Sequence, residues 1–260
     1  MAIDGPPPPD TYIIHIEGCM AAIVRRIKAV MPLLLMLALG SGIPDIAGAQ
    51  GKDLFGAGAA FLGVGASRIG TGDLDDRLAA SGYPTFGRSA TGINAGAHLV
   101  LPGGLTVGAE WHGLIVGEKA HEGREVGIGG GYGTLGIGYM VEMSQRMRVY
   151  PRLGLGGGGM GVWFESESSV GFDDVLVDPR PEELRREPVL STGSAVIDLG
   201  LGAELLPGGW GRGLMLGIRL GYLAAFDTDW QFHDRQVIGG PDANLGGPYI
   251  RATIGVGWRR

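Results

Sequence analysis

The sequence lacks several features that direct particular folds or functions. It has a single cysteine, Cys19, which excludes an internal disulfide framework. Its 21 Lys and Arg are outnumbered by 27 Asp and Glu, and this net charge of −6 argues against a nucleic-acid partner, which needs clustered cations. After residue 50 no apolar run reaches the roughly 18 residues of a transmembrane helix. Membrane insertion of that part would therefore require a closed sheet, because lipid cannot hydrogen-bond an open backbone.

Motifs for catalysis and for cofactor or metal binding are also lacking. The five histidines show no zinc-ligand spacing, and no Gly-x-Ser-x-Gly nucleophile motif occurs. The glycine-rich run 127–138 is followed by no predicted helix, and the run 154–161 lacks the Lys-Ser/Thr pair of a phosphate-binding loop. We therefore predict no catalytic residue, no cofactor and no metal.

Residues 20–49 have the three parts of a secretory signal peptide. A basic segment, an apolar run and a small-x-small cleavage site follow one another, at 25–28, 29–39 and 47–49. The mature chain is predicted to begin at about Gln50, and an amphipathic N-terminal helix is the alternative. Residues 1–19 fit no signal pattern, so we interpret them as an extension that is disordered or precedes the true start.

Glycine is abundant, at 51 of 260 residues, and it alternates with apolar residues through residues 50–260. In the clearest segment Ile93, Ala95, Ala97 and Leu99 occupy every second position. Such period-2 alternation predicts β-strands. Eight strands are predicted, at about 54–67, 90–101, 105–117, 127–142, 146–164, 190–206, 213–226 and 248–259.

The predicted connections alternate in length. Short turns are predicted at 102–104, 143–145 and 207–212, and long loops at 68–89, 118–126, 165–189 and 227–247. Short turns on one rim and long loops on the other are typical of a transmembrane β-barrel. An even strand count places both ends of the barrel segment on the short-turn rim.

The two faces of the predicted strands differ in composition. One face is Leu, Ile, Val and Ala; the other is mostly Gly with a few charges. The polar face of a soluble sheet is normally rich in Lys, Glu, Thr and Ser, whereas a narrow barrel interior requires small residues. We therefore predict an all-β, closed, antiparallel, up-and-down transmembrane barrel after a cleavable signal peptide. Leu199 and Ile218 should face outward, and Asp198 and Arg219 inward.

The charged residues of the inward face form the candidate site. This predicted interior network comprises four acids, four arginines and two histidines: Glu110, Glu142, Asp198, Glu204, Arg148, Arg152, Arg219, Arg251, His98 and His112. Charges removed from water must be paired, so four acids against four arginines favour a structural network. A narrow solute path or a buried catalytic group remains open as an alternative.

The segment from Gln50 to Arg260 resembles the small outer-membrane barrels of the OmpA-like and OmpX-like families. The resemblance rests on the signal, the alternating segments, the loop asymmetry and the last strand, 249–258. These families usually end in an aromatic residue that acts as an insertion signal, and Trp258 fits, although two arginines follow it. The resemblance implies a location in the cell outer membrane. It also implies outer-membrane lipid and the barrel-assembly machinery as partners.

The expected function is that of a non-enzymatic outer-membrane barrel with a structural, adhesion or loop-mediated binding role. An unknown ligand would bind at the predicted loops 165–189 and 227–247, because function concentrates in loops on rigid scaffolds. Two alternatives are a soluble secreted barrel that binds an apolar ligand and a barrel enzyme that acts on outer-membrane lipid. Lipid deacylases of similar size use a His-x-Ser pair, and no histidine here has Ser two residues on.

Overall fold

The computed structural model describes residues 56–121, 124–166, 190–208, 212–227, 229–232 and 235–259. The N-terminal extension 1–19, the signal peptide 20–49 and most of the predicted loop 165–189 lie outside the described residues.

Eight long strands form one closed sheet. They are β1 (Ala57–Arg68), β2 (Ser89–Val100), β3 (Leu105–His121), β4 (Arg124–Tyr139), β5 (Met147–Ser166), β6 (Leu190–Leu205), β7 (Arg212–Asp227) and β8 (Gly247–Arg259). Each strand pairs antiparallel with its sequence neighbour, and β1 also pairs with β8. The predicted all-β, closed, antiparallel barrel is therefore confirmed.

The connections at 101–104, 140–146 and 206–211 share one rim of the barrel, hereafter the lower rim. In the first of them Gly103 and Gly104 have φ angles of 86° and 90°, which residues with a Cβ rarely adopt. The amide of Leu101 donates to the carbonyl of Leu105 at 2.7 Å across this turn. This first short turn therefore occurs where Pro102, Gly103 and Gly104 predict it.

The predicted loop 118–126 is wrong, because β3 and β4 continue through it as a paired hairpin. The pairing extends to His121 opposite Arg124 and contains a bulge between Ile115 and Gly117. Strands β3, β4 and β5 consequently extend beyond β1 and β2 on the loop side, hereafter the upper rim.

The connection 69–88 contains a helix, α1 (Gly72–Ala80), which the alternation pattern did not predict. Leu74 and Leu78, four residues apart, are its buried residues. The carboxylate of Asp75 accepts the backbone N–H groups of Phe86 and Gly87, each at 2.9 Å, and so closes the connection into a compact cap over the upper rim. Within the described residues no helix is long and apolar enough to cross a membrane.

A second upper connection adds two short strands above the barrel. Gln231–Phe232 pairs with the beginning of β6 and also with Arg235–Gln236. Trp230 is buried here, and its indole N–H donates to the Pro241 carbonyl at 2.7 Å. Part of the predicted loop 227–247 is therefore ordered structure that packs onto the barrel.

The outward face of the barrel is apolar on all sides. Its large exposed side chains include Leu62, Val64, Leu105, Trp111, Leu135, Ile137, Leu153, Leu155, Leu199, Leu201, Leu216, Ile218, Leu220, Ile250 and Ile254. Leu199 and Ile218 are 54% and 48% exposed, whereas Asp198 and Arg219 are 0% and 2% exposed. The predicted orientation of β6 and β7 is confirmed.

On β1 both faces are apolar, so alternation alone does not choose between them. Ala59 and Phe61 are buried inside the barrel, and Leu62 and Val64 are exposed outside.

Candidate functional site

The barrel interior has three levels of different composition. A lower apolar level near the short turns contains Ala57, Ala59, Phe61, Val100, Met140 and Met215. The middle ionic level contains the buried charges Glu110, Asp198, Glu204, Arg148, Arg152, Arg219 and Arg251, with His98 and His112. An upper apolar level contains the barrel residues Leu114, Val126, Ile128, Met160, Val162, Val196, Leu223 and the cap residues Ile69, Leu74, Leu78, Trp230 and Leu245.

Glu110 on β3 is the first of two centres in the ionic level. Its carboxylate pairs with the guanidinium groups of Arg152 on β5 and Arg219 on β7. Its second oxygen lies 3.4 Å from Nε2 of His112, two residues along the same strand. Glu110 thus joins three strands across the lumen, which no local sequence pattern could encode.

Glu204 on β6 occupies a second centre. One oxygen accepts from Arg148 Nη2 at 3.1 Å, and the other accepts the Tyr150 hydroxyl at 2.9 Å. His98 Nε2 lies 3.6 Å and Arg219 Nη2 lies 3.8 Å from that second oxygen. Arg219 therefore lies between the two glutamates, and its guanidinium also stacks 4.1 Å over the Phe61 ring.

Asp198 and Arg251 are linked through tyrosine. The Tyr249 hydroxyl donates to Asp198 Oδ1 at 2.6 Å, and Arg251 lies 3.5 Å over the ring of the same tyrosine. Arg251 also donates to the Tyr132 hydroxyl. Arg152 Nη2 lies 3.9 Å from Asp198 Oδ2. Among the described residues no carboxylate contacts Arg251, so π and hydroxyl contacts solvate this cation.

Glu142, predicted to belong to the interior network, lies opposite the inward Arg148 but is exposed at the end of the barrel rather than buried among the other charges. β4 ends at Tyr139, and Glu142 belongs to the two-residue strand Val141–Glu142, which is exposed at the lower rim. Met140 is the buried residue at this point, and its amide donates to the Gly104 carbonyl at 2.7 Å. The pairing register with β5 is the same on both sides of Met140, so Glu142 is exposed because it lies at the lower rim.

The predicted balance of four acids and four arginines is corrected accordingly. Within the described interior, three carboxylates, Glu110, Asp198 and Glu204, face the four predicted arginines. The aromatic rings therefore supply contacts that the prediction assigned to a fourth acid.

Three tyrosines of the network were not among the predicted site residues: Tyr132, Tyr150 and Tyr249. Tyr150 and Tyr249 were recognisable in principle, because each lies two residues from an inward arginine on the same strand. Tyr132 follows a run of glycines and stacks on His112 with 4.4 Å between ring centroids. Its position across the lumen becomes evident only from the barrel closure.

Interior glycines provide the space for these side chains. A Cβ added at Gly96 would lie 2.7 Å from both Glu110 Cγ and Phe61 Cζ. One added at Gly136 would lie 3.0 Å from Arg152 Nη2. The glycine content of the inward face therefore reflects the width of large ionic and aromatic groups in a narrow lumen.

The interior leaves little room for a ligand. A cavity of about 20 Å³ is lined by side chains that include His98, Glu110, Tyr150 and Arg152. Such a volume holds about one water molecule. Apolar levels lie above and below this cavity, which separates its polar lining from both rims.

Trp258, the predicted insertion signal, lies half-buried near the end of β8 and opposite Gly58 of β1. A Cβ at Gly58 would lie 2.8 Å from Trp258 Cε2, so the indole covers this glycine at the barrel seam. The structure thus places Trp258 where the last strand joins the first.

A closed eight-stranded barrel with an apolar exterior and a buried ionic interior defines a class of protein, the small β-barrel of bacterial outer membranes. Several solved structures are similar to this chain. No known protein family and no curated protein matches the sequence.

Two of these structures are surface proteins of bacteria. One is Ail, the attachment invasion locus protein of Yersinia pestis, with 14% identity and a TM-score of 0.42 over 79% of this chain and 99% of that chain. Another is Neisserial surface protein A, with 12% identity and a TM-score of 0.39 over 81% of this chain and 100% of that chain. At these identities the function of this chain rests on its own residues.

Proposed function

We propose that the protein is a non-enzymatic outer-membrane barrel that serves as a rigid, closed platform for a loop surface on the cell exterior. The observation that carries this proposal is the combination of an apolar outer face with an interior filled at all three levels. An apolar exterior stabilises the chain in lipid and is unfavourable in water. A filled interior leaves the upper surface as the place for recognition.

Hydrogen bonds hold the upper connections in a fixed arrangement on the barrel. The cap of α1 and the connection 81–88 is held by Asp75, and Asp242 N–H donates to the Asp73 carboxylate at 2.9 Å between the two described upper connections. Arg77 Nη1 donates to the Gly239 carbonyl at 2.6 Å and adds a second link. We therefore assign adhesion or partner binding to this surface and to the predicted loop 165–189. The partner would be a molecule outside the cell.

The interior favours neither the binding of an apolar ligand nor a solute path. An apolar ligand needs a cavity far larger than about 20 Å³, since small-molecule pockets span about 300–1,000 Å³. A solute path would need to cross both apolar levels. The refolded protein should therefore give no discrete conductance in planar bilayers, and a reproducible single-channel step would assign it a transport function instead.

The location and orientation can be tested with engineered cysteines in a Cys19→Ser background, which has no other cysteine. Ile238→Cys lies on the upper side, where Ile238 is 96% exposed, and Met143→Cys lies at the lower rim, where Met143 is 64% exposed. A membrane-impermeant maleimide should label Ile238→Cys in intact cells and both variants after lysis. Labelling of Met143→Cys alone would reverse the orientation, and recovery of the chain in the soluble fraction would reject the proposal.

The mature chain is proposed to begin at about Gln50 after removal of the signal peptide 20–49. Insertion through the barrel-assembly machinery, with Trp258 as its signal, belongs to the same proposal. The intact mass of the membrane-derived protein tests the first statement. Trp258→Ala should lower the inserted fraction relative to Trp111→Ala, an outward tryptophan distant from the last strand. Equal insertion of both variants would remove Trp258 from this role.

A further inference from the structure

A groove of about 660 Å³ lies on the outside of the barrel, where β8, β1 and β2 meet at the upper rim. Its lining includes two arginines, two serines and the apolar edge of the outer face: Arg68, Arg88, Ser67, Ser89, Ala66 and Ile250. The groove therefore joins a cationic end to the apolar exterior.

The two arginines lie on neighbouring segments of the upper rim and line the same groove. Arg68 is the register partner of Ser89, and the amide of Ile69 donates to the Arg88 carbonyl at 2.9 Å. Both side chains are exposed, and within the described part of the chain neither contacts a carboxylate. Because both cations line one groove, an anion bound in it would be attracted by both.

The backbone that carries Arg88 is fixed without a ligand. The Asp75 carboxylate is occupied by the N–H groups of Phe86 and Gly87, and the Thr71 hydroxyl donates to the Gly87 carbonyl at 2.7 Å. The nearby acid is thus used to hold the connection rather than to neutralise Arg88. A site whose backbone is already ordered loses less entropy when it binds.

Below the arginines, the outer face is a continuous apolar surface. Successive register pairs of β1 and β8 run down it from the rim: Ala66 with Ile250, Val64 with Ala252, and Leu62 with Ile254. A ligand with an anionic head and apolar chains matches this arrangement, because its head would meet the guanidinium groups while its chains covered these pairs. The planar guanidinium fork suits the tetrahedral oxygens of phosphate.

We propose that Arg68 and Arg88 form a binding site for the phosphate of a lipid headgroup in the leaflet at the upper rim. The site rests on the proposed membrane insertion, and it adds a specific lipid contact to the general contact of the apolar exterior. Ser89, the register partner of Arg68, would supply a hydroxyl donor to the same phosphate. The apolar pairs below distinguish a lipid from free phosphate, which has no chains to cover them.

Native mass spectrometry of the full chain, extracted from membranes in an uncharged detergent, tests this site with dioleoyl phosphatidic acid as the probe. The variant R68Q/R88Q should bind it roughly 30-fold more weakly, since each interfacial charge contributes roughly fivefold. The matched control R146Q/R235Q removes two exposed arginines outside the groove and should bind as the wild type does. Dioleoylglycerol, which lacks the phosphate, should not distinguish the variants.

Three results would overturn the site. Equal affinity of the wild type and R68Q/R88Q for phosphatidic acid would remove the arginines from lipid binding. An equal loss in the control variant would reduce the effect to net charge. Inorganic phosphate that displaces the lipid at similar concentration would make this an ion site without a role for the chains. Heat-modifiable migration of each variant, measured in parallel, reports insertion separately, so failure of the site and failure of the membrane proposal remain distinguishable.

Discussion

The ionic level and the upper apolar level fill the same narrow lumen with different kinds of side chain. The ionic level uses a few large polar groups, such as Arg152 and Glu110, between glycines that leave them space. The upper level uses aliphatic side chains such as Ile128 and Val162, both fully buried, and it takes part of its packing from the cap. The comparison teaches that the charges link non-neighbouring strands across the lumen, whereas the apolar level fixes the upper connections to the barrel.

The largest effect is expected from removal of a shared acid in the ionic level. Glu110→Ala leaves Arg152 and Arg219 buried without their common partner, which costs about 3–5 kcal/mol of unfolding free energy. Urea unfolding of the protein in lipid vesicles measures this change. The control Glu142→Ala, at the exposed lower rim, should change the unfolding free energy by less than about 0.5 kcal/mol. Similar losses in both variants would contradict the assignment of Glu110 as the centre of the network.

A smaller effect is expected in the upper apolar level. Ile128→Ala should cost about 3 kcal/mol, because it leaves a cavity among side chains that cannot fully relax. Hydrogen exchange should show faster opening of α1 than of β7, since the cap packs on this level. The matched control is Ile137→Ala on the same strand, which is 55% exposed on the outer face. If Ile128→Ala speeds hydrogen exchange equally in α1 and β7, the cap does not open independently of the barrel.

The tyrosine contacts of the ionic level should contribute less than its ion pairs. Tyr249→Phe removes the hydroxyl that donates to Asp198 but keeps the ring under Arg251, so the expected loss is about 1.5–3 kcal/mol. Tyr222→Phe, on the exposed outer face, is the control and should be nearly neutral. A neutral Tyr249→Phe would mean that Asp198 is satisfied without this hydroxyl.

The smallest effect is expected from salt. Buried ion pairs are screened far less than exposed ones, so 1 M NaCl should leave the difference between wild type and Glu110→Ala nearly unchanged. The exposed pair Asp73–Arg77, with 3.3 Å between its charged atoms, should lose its small contribution under the same conditions. Unfolding curves at low and high salt give both values. If the difference in unfolding free energy between wild type and Glu110→Ala disappears in 1 M NaCl, the ionic level is accessible to water and salt.

Much of the barrel follows from period-2 alternation, because successive side chains of a strand point to opposite faces. Asp198, Arg219 and Arg251 fall on the inward face by this rule, and the structure buries all three. The rule does not say how far a residue lies from the rim, and it fails where both faces are alike. Glu142 lies opposite the inward Arg148 but is exposed at the lower rim, and the apolar faces of β1 give alternation nothing to distinguish.

The candidate site was predictable as a set of residues but not as a set of contacts. Glu110 and Arg219 are 109 positions apart, and only closure of the sheet brings them together. The cap was not predictable either, since α1 is short and its two buried leucines acquire a partner only on the upper rim. Tyr132 and Trp230 likewise take their roles from neighbours that are distant in sequence.

The sequence by itself determined the number of strands, their antiparallel order and the side of each clearly alternating strand that meets lipid, because these depend on local periodicity and turn residues. Tertiary structure alone decided which charge meets which, how three acids suffice for four arginines, and how the upper level is closed by the cap. The physical reason is that a closed barrel sets distances across its lumen through all eight strands together. Pairing of buried charges and packing of apolar groups depend on those distances.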